Sequence, residues 1–207
     1  MPDRAENISA LILAAGASSR MGSFKPLLPL ENEPVIARVA GIFRTAGIAD
    51  IRVVTGFAAD RLIPVLANLG LSWTVNDDYS RGMFSSIQAG VRALGRDCRA
   101  FFLLPADMPF VRPATVGRLL AAFEQDGEGA DGKRSVVYRP HYGGRRGHPL
   151  LITAALIPEI LAFSEPGGLR VLLARLDRGI VDIECDDPGI LIDLDTPEDY
   201  RRGFQGG

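Results

Sequence analysis

Short apolar runs alternate along the chain with longer stretches in which apolar residues recur at every third or fourth position. That rhythm predicts βαβ units around a mostly parallel sheet. Ser9–Leu13 is apolar enough to be the first strand, buried on both faces. A Gly- and Ser-rich loop follows over 14–25. Pro34–Ala46 has helical spacing and meets a stop at Gly47. Strands are predicted at Ile51–Thr55, Ser72–Val75 and Ala100–Leu104, and helices at Ala59–Asn68, Phe84–Leu94 and Pro113–Phe123. The last of these helices carries proline at an early position, where its missing N–H costs nothing. Past a polar loop over Gln125–Arg134 the rhythm loosens. Strands are expected at Ser135–Tyr138, Pro149–Ile152, Ile180–Glu184 and Ile190–Asp193, with helices at Ala154–Phe163 and Leu169–Leu176 and a closing helix near Pro197. With 207 residues, the expectation is one open, twisted α/β domain over 1–207.

Composition narrows the classes. A formal net charge of −2 provides no electrostatic footprint for nucleic acid or an anionic membrane. No apolar run is long enough to cross a bilayer, and the polar start (Asp3, Arg4, Glu6) lacks a secretory pattern, so a cytoplasmic protein is expected. Cys98 and Cys185 have no metal-ligand spacing and are expected as two reduced, partly buried thiols.

The loop after the first strand, Leu13-Ala-Ala-Gly-Ala-Ser-Ser-Arg-Met-Gly22 with Lys25, is the richest segment. It must lie at the carboxyl end of the sheet, where ligands bind in this class of fold. Ala14, Ala15 and Gly16 leave room for a base or phosphate to approach the backbone. Ala17, Ser18 and Ser19 supply N–H groups, and Arg20 and Lys25 supply a planar fork and a point charge suited to a polyphosphate. The bland alternative is a simple turn with solvated cations. Neither the dinucleotide fingerprint nor the P-loop is present, which disfavours an oxidoreductase or a P-loop NTPase.

Asp107, in Pro105-Ala-Asp-Met-Pro109, follows the central apolar strand; Asp193 and Asp195 follow the last one, with Asp195 nearer its tip. One carboxylate from each strand is a donor set for Mg²⁺ held against phosphate oxygens. Asp195 has a competing reading, because Asp-Thr-Pro-Glu is also a helix start.

These segments in this order, with Asn76, Gly82-Met-Phe-Ser-Ser86, Arg146-Gly-His-Pro149 and Asp193-Leu-Asp-Thr-Pro-Glu-Asp199, resemble the molybdenum-cofactor cytidylyltransferase family, within the wider MobA-like nucleotidyltransferases. The resemblance covers nearly the whole chain. It implies a Rossmann-like sheet with helices on both faces, like that of nucleotide-diphospho-sugar transferases. It also implies an Mg²⁺-dependent reaction in which the acceptor's phosphate attacks the α-phosphorus of CTP and releases pyrophosphate. By that resemblance Leu13, Ala14, Ala15 and Gly16 hold the base and ribose, with Asn76, Ser85 and Ser86 reaching the nucleotide from the start of the third helix. Arg20, Lys25 and Asp107 are the catalytic set, Asp107 and Asp195 the metal ligands, and Arg146 and His148 the acceptor contacts, with Arg145 beside them. The implied partners are CTP (or GTP), a molybdopterin-type acceptor and a receiving molybdenum apo-enzyme. On the residues alone, His148 reads more readily as a turn histidine packed beside Pro149, and Arg170, which resembles a family arginine near the acceptor, reads equally as a solvated helix residue. Phe84 departs from the family's usual small residue.

The Cβ of Ala15, where guanylyl relatives carry glycine, narrows the space beside the base and favours the pyrimidine, by an amount one methyl limits to ~1–3 kcal/mol. Alternatives are a GTP-dependent guanylyltransferase, a sugar-phosphate nucleotidyltransferase, a non-catalytic cofactor chaperone and a nucleotide-binding regulator.

Overall fold

β1, Ile8–Ala14, is seven residues long and buried throughout, as a strand flanked by helices on both faces must be. It pairs in parallel with β4 (Asp50–Thr55) on one side and β6 (Ala100–Pro105) on the other. β5 (Ser72–Val75) extends the sheet in parallel from β4. Beyond β6 lie β9 (Leu150–Thr153), β7 (Val137–Tyr142) and β10 (Ile180–Glu184), giving the order β10-β7-β9-β6-β1-β4-β5. β9 runs antiparallel to both neighbours, whereas β10 returns parallel to β7. The two-residue β8 (Arg145–Arg146) folds back on β7, and β2 (Pro29–Leu30) pairs with β3 (Glu33–Pro34) apart from the main sheet. This computed structural model describes residues 6–17, 24–126, 134–176, 179–196 and 198–199.

Strand alternation divides the core into two layers. Ile8, Ala10 and Ile12 of β1, with Phe102 and Leu104 of β6, face α1 (Val35–Thr45), α2 (Ala59–Asn68) and α4 (Pro113–Gln125). Leu11, Leu13, Phe101 and Leu103 face α3 (Met83–Arg92), α5 (Ile157–Ala162) and α6 (Gly168–Ala174). The expected mostly parallel sheet with helices on both faces is therefore the observed architecture. Cys98 and Cys185 are free thiols, intermediate and buried respectively. No helix among the described residues is long and apolar enough to cross a membrane.

The expected last strand at Ile190–Asp193 is not one. Pro188–Leu191 is a 3-10 turn, started by Asp187, whose carboxylate accepts from the Gly189 N–H at 2.9 Å. Pro188 has no N–H to give a ladder. The chain still runs past the end of β6, because the Leu194 N–H donates to the Asp107 carbonyl at 2.8 Å. Asp187 is 2% exposed and also accepts from the Arg112 N–H (2.8 Å) and the Thr115 hydroxyl (2.6 Å), which ties this segment to the start of α4. Of the closing helix, only 198 and 199 are described. Asp126 and Arg134 bound the stretch 127–133, which lies outside the described residues.

Candidate functional site at the carboxyl end of the sheet

β1 and β6 end side by side, with Leu13 opposite Pro105, and the chain turns away from the sheet at both ends. The Ala106 N–H donates to the Leu13 carbonyl (2.9 Å), and the Phe57 N–H to that of Ala15 (3.1 Å). The loop ends thus fan outward and leave a cleft of ≈ 660 Å³ at the sheet's carboxyl edge. Of the residues singled out from sequence, Leu13, Ala14, Ala15, Gly16, Lys25, Ser86, Asp107, Arg146, His148 and Asp195 line this cleft. Ser18, Ser19 and Arg20 lie outside the described residues.

At its centre Lys25 places its ammonium 3.0 Å from Asp107 Oδ2 and 2.7 Å from Asp195 Oδ1. The Lys25 side chain is only 10% exposed, against 26% and 27% for the two carboxylates. Burial pulls its pKa down, but the hydrogen bonds to Asp195 and Asp107 outweigh that and hold the ammonium above its ordinary value. Two carboxylates from distant parts of the chain are thus aimed at one cation, so the donor set fits a metal ion and the ammonium stands in that place. Asp193 opens onto the same cleft, its carboxyl pushed up by partial desolvation and by the neighbouring Asp195.

The helix-cap reading of Asp195 is answered by its neighbour. The Thr196 N–H donates to Asp199 Oδ2 (2.8 Å), and the Asp199 N–H returns to the Thr196 hydroxyl (3.2 Å), a reciprocal capping box. Thr196 is the cap, which leaves Asp195 to face Lys25.

The far wall comes from the antiparallel part of the sheet. Gly147 is pressed so closely on the 188–191 turn that a Cβ there would lie 2.4 Å from the Ile190 carbonyl oxygen. Its N–H donates to the Pro140 carbonyl (2.9 Å), and the His148 N–H to that of Ile190 (3.1 Å). These bonds hold Arg145, Arg146 and His148 against the cleft. Burial lowers the His148 pKa, only partly offset by the Leu103 backbone and the Asp107 charge, so the ring is neutral at pH 7. Its Nδ1 is buried without a hydrogen-bond partner. Arg146 is exposed and also approaches Asp182 at 3.7 Å. Arg170 is exposed on α6, away from the cleft lining.

Asn76 and Ser85 do not line the cleft. Asn76 is 5% exposed and its amide donates to Ser85 Oγ (2.9 Å) and Ser86 Oγ (3.0 Å), while its Oδ1 accepts from the Asp78 N–H (3.1 Å). The pair braces the turn that leads into α3. Phe84 packs behind that helix start, edge-on to Phe163 at 5.8 Å, and does not line the cleft. Tyr79, which no sequence motif singles out, lines the cleft rim with Met83 of the Gly82–Ser86 segment. The available signal was an aromatic residue stranded in a polar run.

A family model described as the MobA-like NTP transferase domain matches residues 10–179. Nicotine blue oxidoreductase of Paenarthrobacter nicotinovorans is 34% identical, covering 94% of this chain and 95% of its own length. Molybdenum cofactor cytidylyltransferase of Escherichia coli K12 is 29% identical, covering 93% of each. Among solved structures, a nucleotidyl transferase from Methanothermobacter thermautotroptrophicus superposes with a TM-score of 0.78 at 28% identity, covering 94% of each chain. With an oxidoreductase by name this similar over its full length, the missing dinucleotide fingerprint weighs little. The charged cluster at Lys25 weighs more.

Proposed function

We propose a specific reaction for this chain, which belongs to the MobA-like NTP transferase family and is one of its nucleotidyltransferases: transfer of CMP from CTP to the phosphate of a molybdopterin-type acceptor, with release of pyrophosphate. The observation that carries this reading is Lys25 seated between Asp107 and Asp195, at the floor of a cleft with small residues on one wall and arginines on the other.

Ala14, Ala15 and Gly16 admit the base and ribose close to the backbone. Arg20 and Lys25 supply positive charge for the triphosphate. Asp107 and Asp195 would hold Mg²⁺, which when bound would neutralise phosphate charge and ease the departure of pyrophosphate. Arg146, with Arg145, draws the acceptor's phosphate to the opposite wall, where neutral His148 lines the cleft beside them. The acceptor phosphate oxygen then bonds to the α-phosphorus as the bond to pyrophosphate breaks. No covalent bond to the protein forms. Positioning and electrostatic stabilisation supply the catalysis.

The test is pyrophosphate release with Mg²⁺, molybdenum-loaded pterin cofactor and each of CTP, GTP, ATP and UTP. Acceptor-dependent release that is strongest with CTP is the expected result. A GTP preference would keep the nucleotidyl transfer and overturn the role of Ala15. No release with any nucleotide would overturn the reaction, and sugar phosphates would be tried as acceptors next.

A further inference from the structure

Tyr79 stands at the rim of the cleft, 38% exposed, and Met83 beside it is 62% exposed. Large apolar side chains at a cleft mouth bear an unmet hydrophobic and π-face. Three features fix the Tyr79 ring in place. Its stem is seated on Gly56, where a Cβ would come 2.7 Å from Tyr79 Cβ and 2.9 Å from Ala15 Cβ. Phe57 meets the ring edge-on, centroids 6.4 Å apart at 70°, and itself leans on Phe24 at 6.0 Å. The turn carrying Tyr79 is pinned at both ends, because the Ser85 hydroxyl reaches the carbonyls of Asp78 (3.0 Å) and Gly82 (2.8 Å) while Asn76 holds the Asp78 N–H.

We infer that Tyr79 is the stacking platform for the nucleobase, on the side of the cleft that carries Ala15. This rests on the nucleotidyl-transfer reading and goes beyond it by naming a base contact outside the Gly-rich loop. The side of the cleft decides between the two flat rings of the reaction. Tyr79 adjoins Ala15 and Gly56, at the ends of β1 and β4, whereas the acceptor wall of Arg145, Arg146 and His148 comes from the β7–β9 region. Because Gly56 has no side chain, the stems of Tyr79 and Ala15 both close onto its backbone at the same end of the cleft. The buried Asn76–Ser85–Ser86 network then serves the nucleotide indirectly, by holding the turn that aims the ring.

The test compares equilibrium binding of CTP and of ribose 5-triphosphate, which lacks the base, with no acceptor present. The wild-type protein, Tyr79→Ala, Tyr79→Leu and Tyr79→Phe are measured. Tyr79→Leu keeps apolar mass on Gly56 without a π-face, and stands in if Tyr79→Ala unfolds. Both should lose about tenfold in CTP affinity, the scale of one base–aromatic stack. Binding of ribose 5-triphosphate should stay within about twofold, and Tyr79→Phe should restore CTP binding. Equal losses for both compounds would make Tyr79 a mere brace for the triphosphate loop and overturn the inference. So would unchanged CTP binding with a raised KM for the pterin acceptor. Wild-type protein that binds the two compounds equally would overturn the platform while leaving nucleotidyl transfer standing. Wild-type protein that binds neither would overturn both.

Discussion

The two halves of the sheet build their walls of the cleft by different means. On the β6-β1-β4-β5 side the strands are parallel, with β1 and β6 nearly all apolar, and the cleft is shaped by what is missing: a side chain at Gly16, and anything larger than methyl at Ala14 and Ala15. On the β10-β7-β9 side the pairing is mixed, and the cleft is shaped by charged side chains held in place by backbone hydrogen bonds from Gly147, His148 and Leu194. The first wall is tuned by volume and the second by charge. Substitutions on the two sides should therefore fail differently, in substrate choice on one and in acceptor capture or stability on the other. Lys25, Asp107 and Asp195 sit where the two meet and should affect both.

The largest effect is expected at that junction. Asp107→Asn should lower turnover by about 10³-fold, measured as pyrophosphate release, because it removes one of the two charges aimed at the cation. It should leave the urea unfolding midpoint nearly unchanged, since the side chain is partly exposed. A variant that turned over near the wild-type rate would remove Asp107 from the metal site. On the charged side, Gly147→Val forces a side chain into the Ile190 carbonyl and should cost about 1–3 kcal/mol in urea unfolding, the scale of overpacking. If stability held, the wall would be softer than its hydrogen bonds imply.

Two paired substitutions separate the walls directly. Arg146→Ala should raise the acceptor KM about tenfold with the KM for CTP unchanged, a charge-assisted contact being worth roughly that much. Ala15→Gly should instead shift the CTP-to-GTP ratio of kcat/KM toward GTP by about tenfold. Either variant moving the other's parameter would erase the division of labour.

The smallest effect is on pH dependence. His148 is held neutral by burial, with a pKa below that of the unfolded chain, so the unfolded state takes up more protons. Its contribution to stability is present above the unfolded value and lost as pH falls. Urea midpoints should therefore decline from pH 7.5 to 5.5, and His148→Gln should flatten that slope. A variant with the wild-type slope would assign the decline to other groups.

The parallel half was readable because a strand buried on both faces writes itself as an apolar run. Ser9–Leu13 and Ala100–Leu104 fall inside β1 and β6. The last predicted strand failed because Asp187, unremarkable in sequence, organises a turn through three hydrogen bonds to residues near and far. Lys25, Asp107 and Asp195 were each legible as functional types. Their convergence was not, because neither periodicity nor local spacing encodes a contact between residues 82 or 170 positions apart. Tyr79 escaped for a related reason. A lone aromatic in a polar stretch stands out, but the sequence does not show that it is seated on the bare backbone at Gly56.

The separation of Lys25 from Asp195, 170 positions, also has a meaning in time. A ribosome adding ~5–20 residues per second needs on the order of 10–30 s to travel from one to the other. In the later part of that interval, once β6 (Ala100–Pro105) has been made, it can pair with β1 while the lysine has at most one of its two carboxylates. A product cut short before residue 195 would retain the apolar wall and the small-residue loop and still lack the second acid.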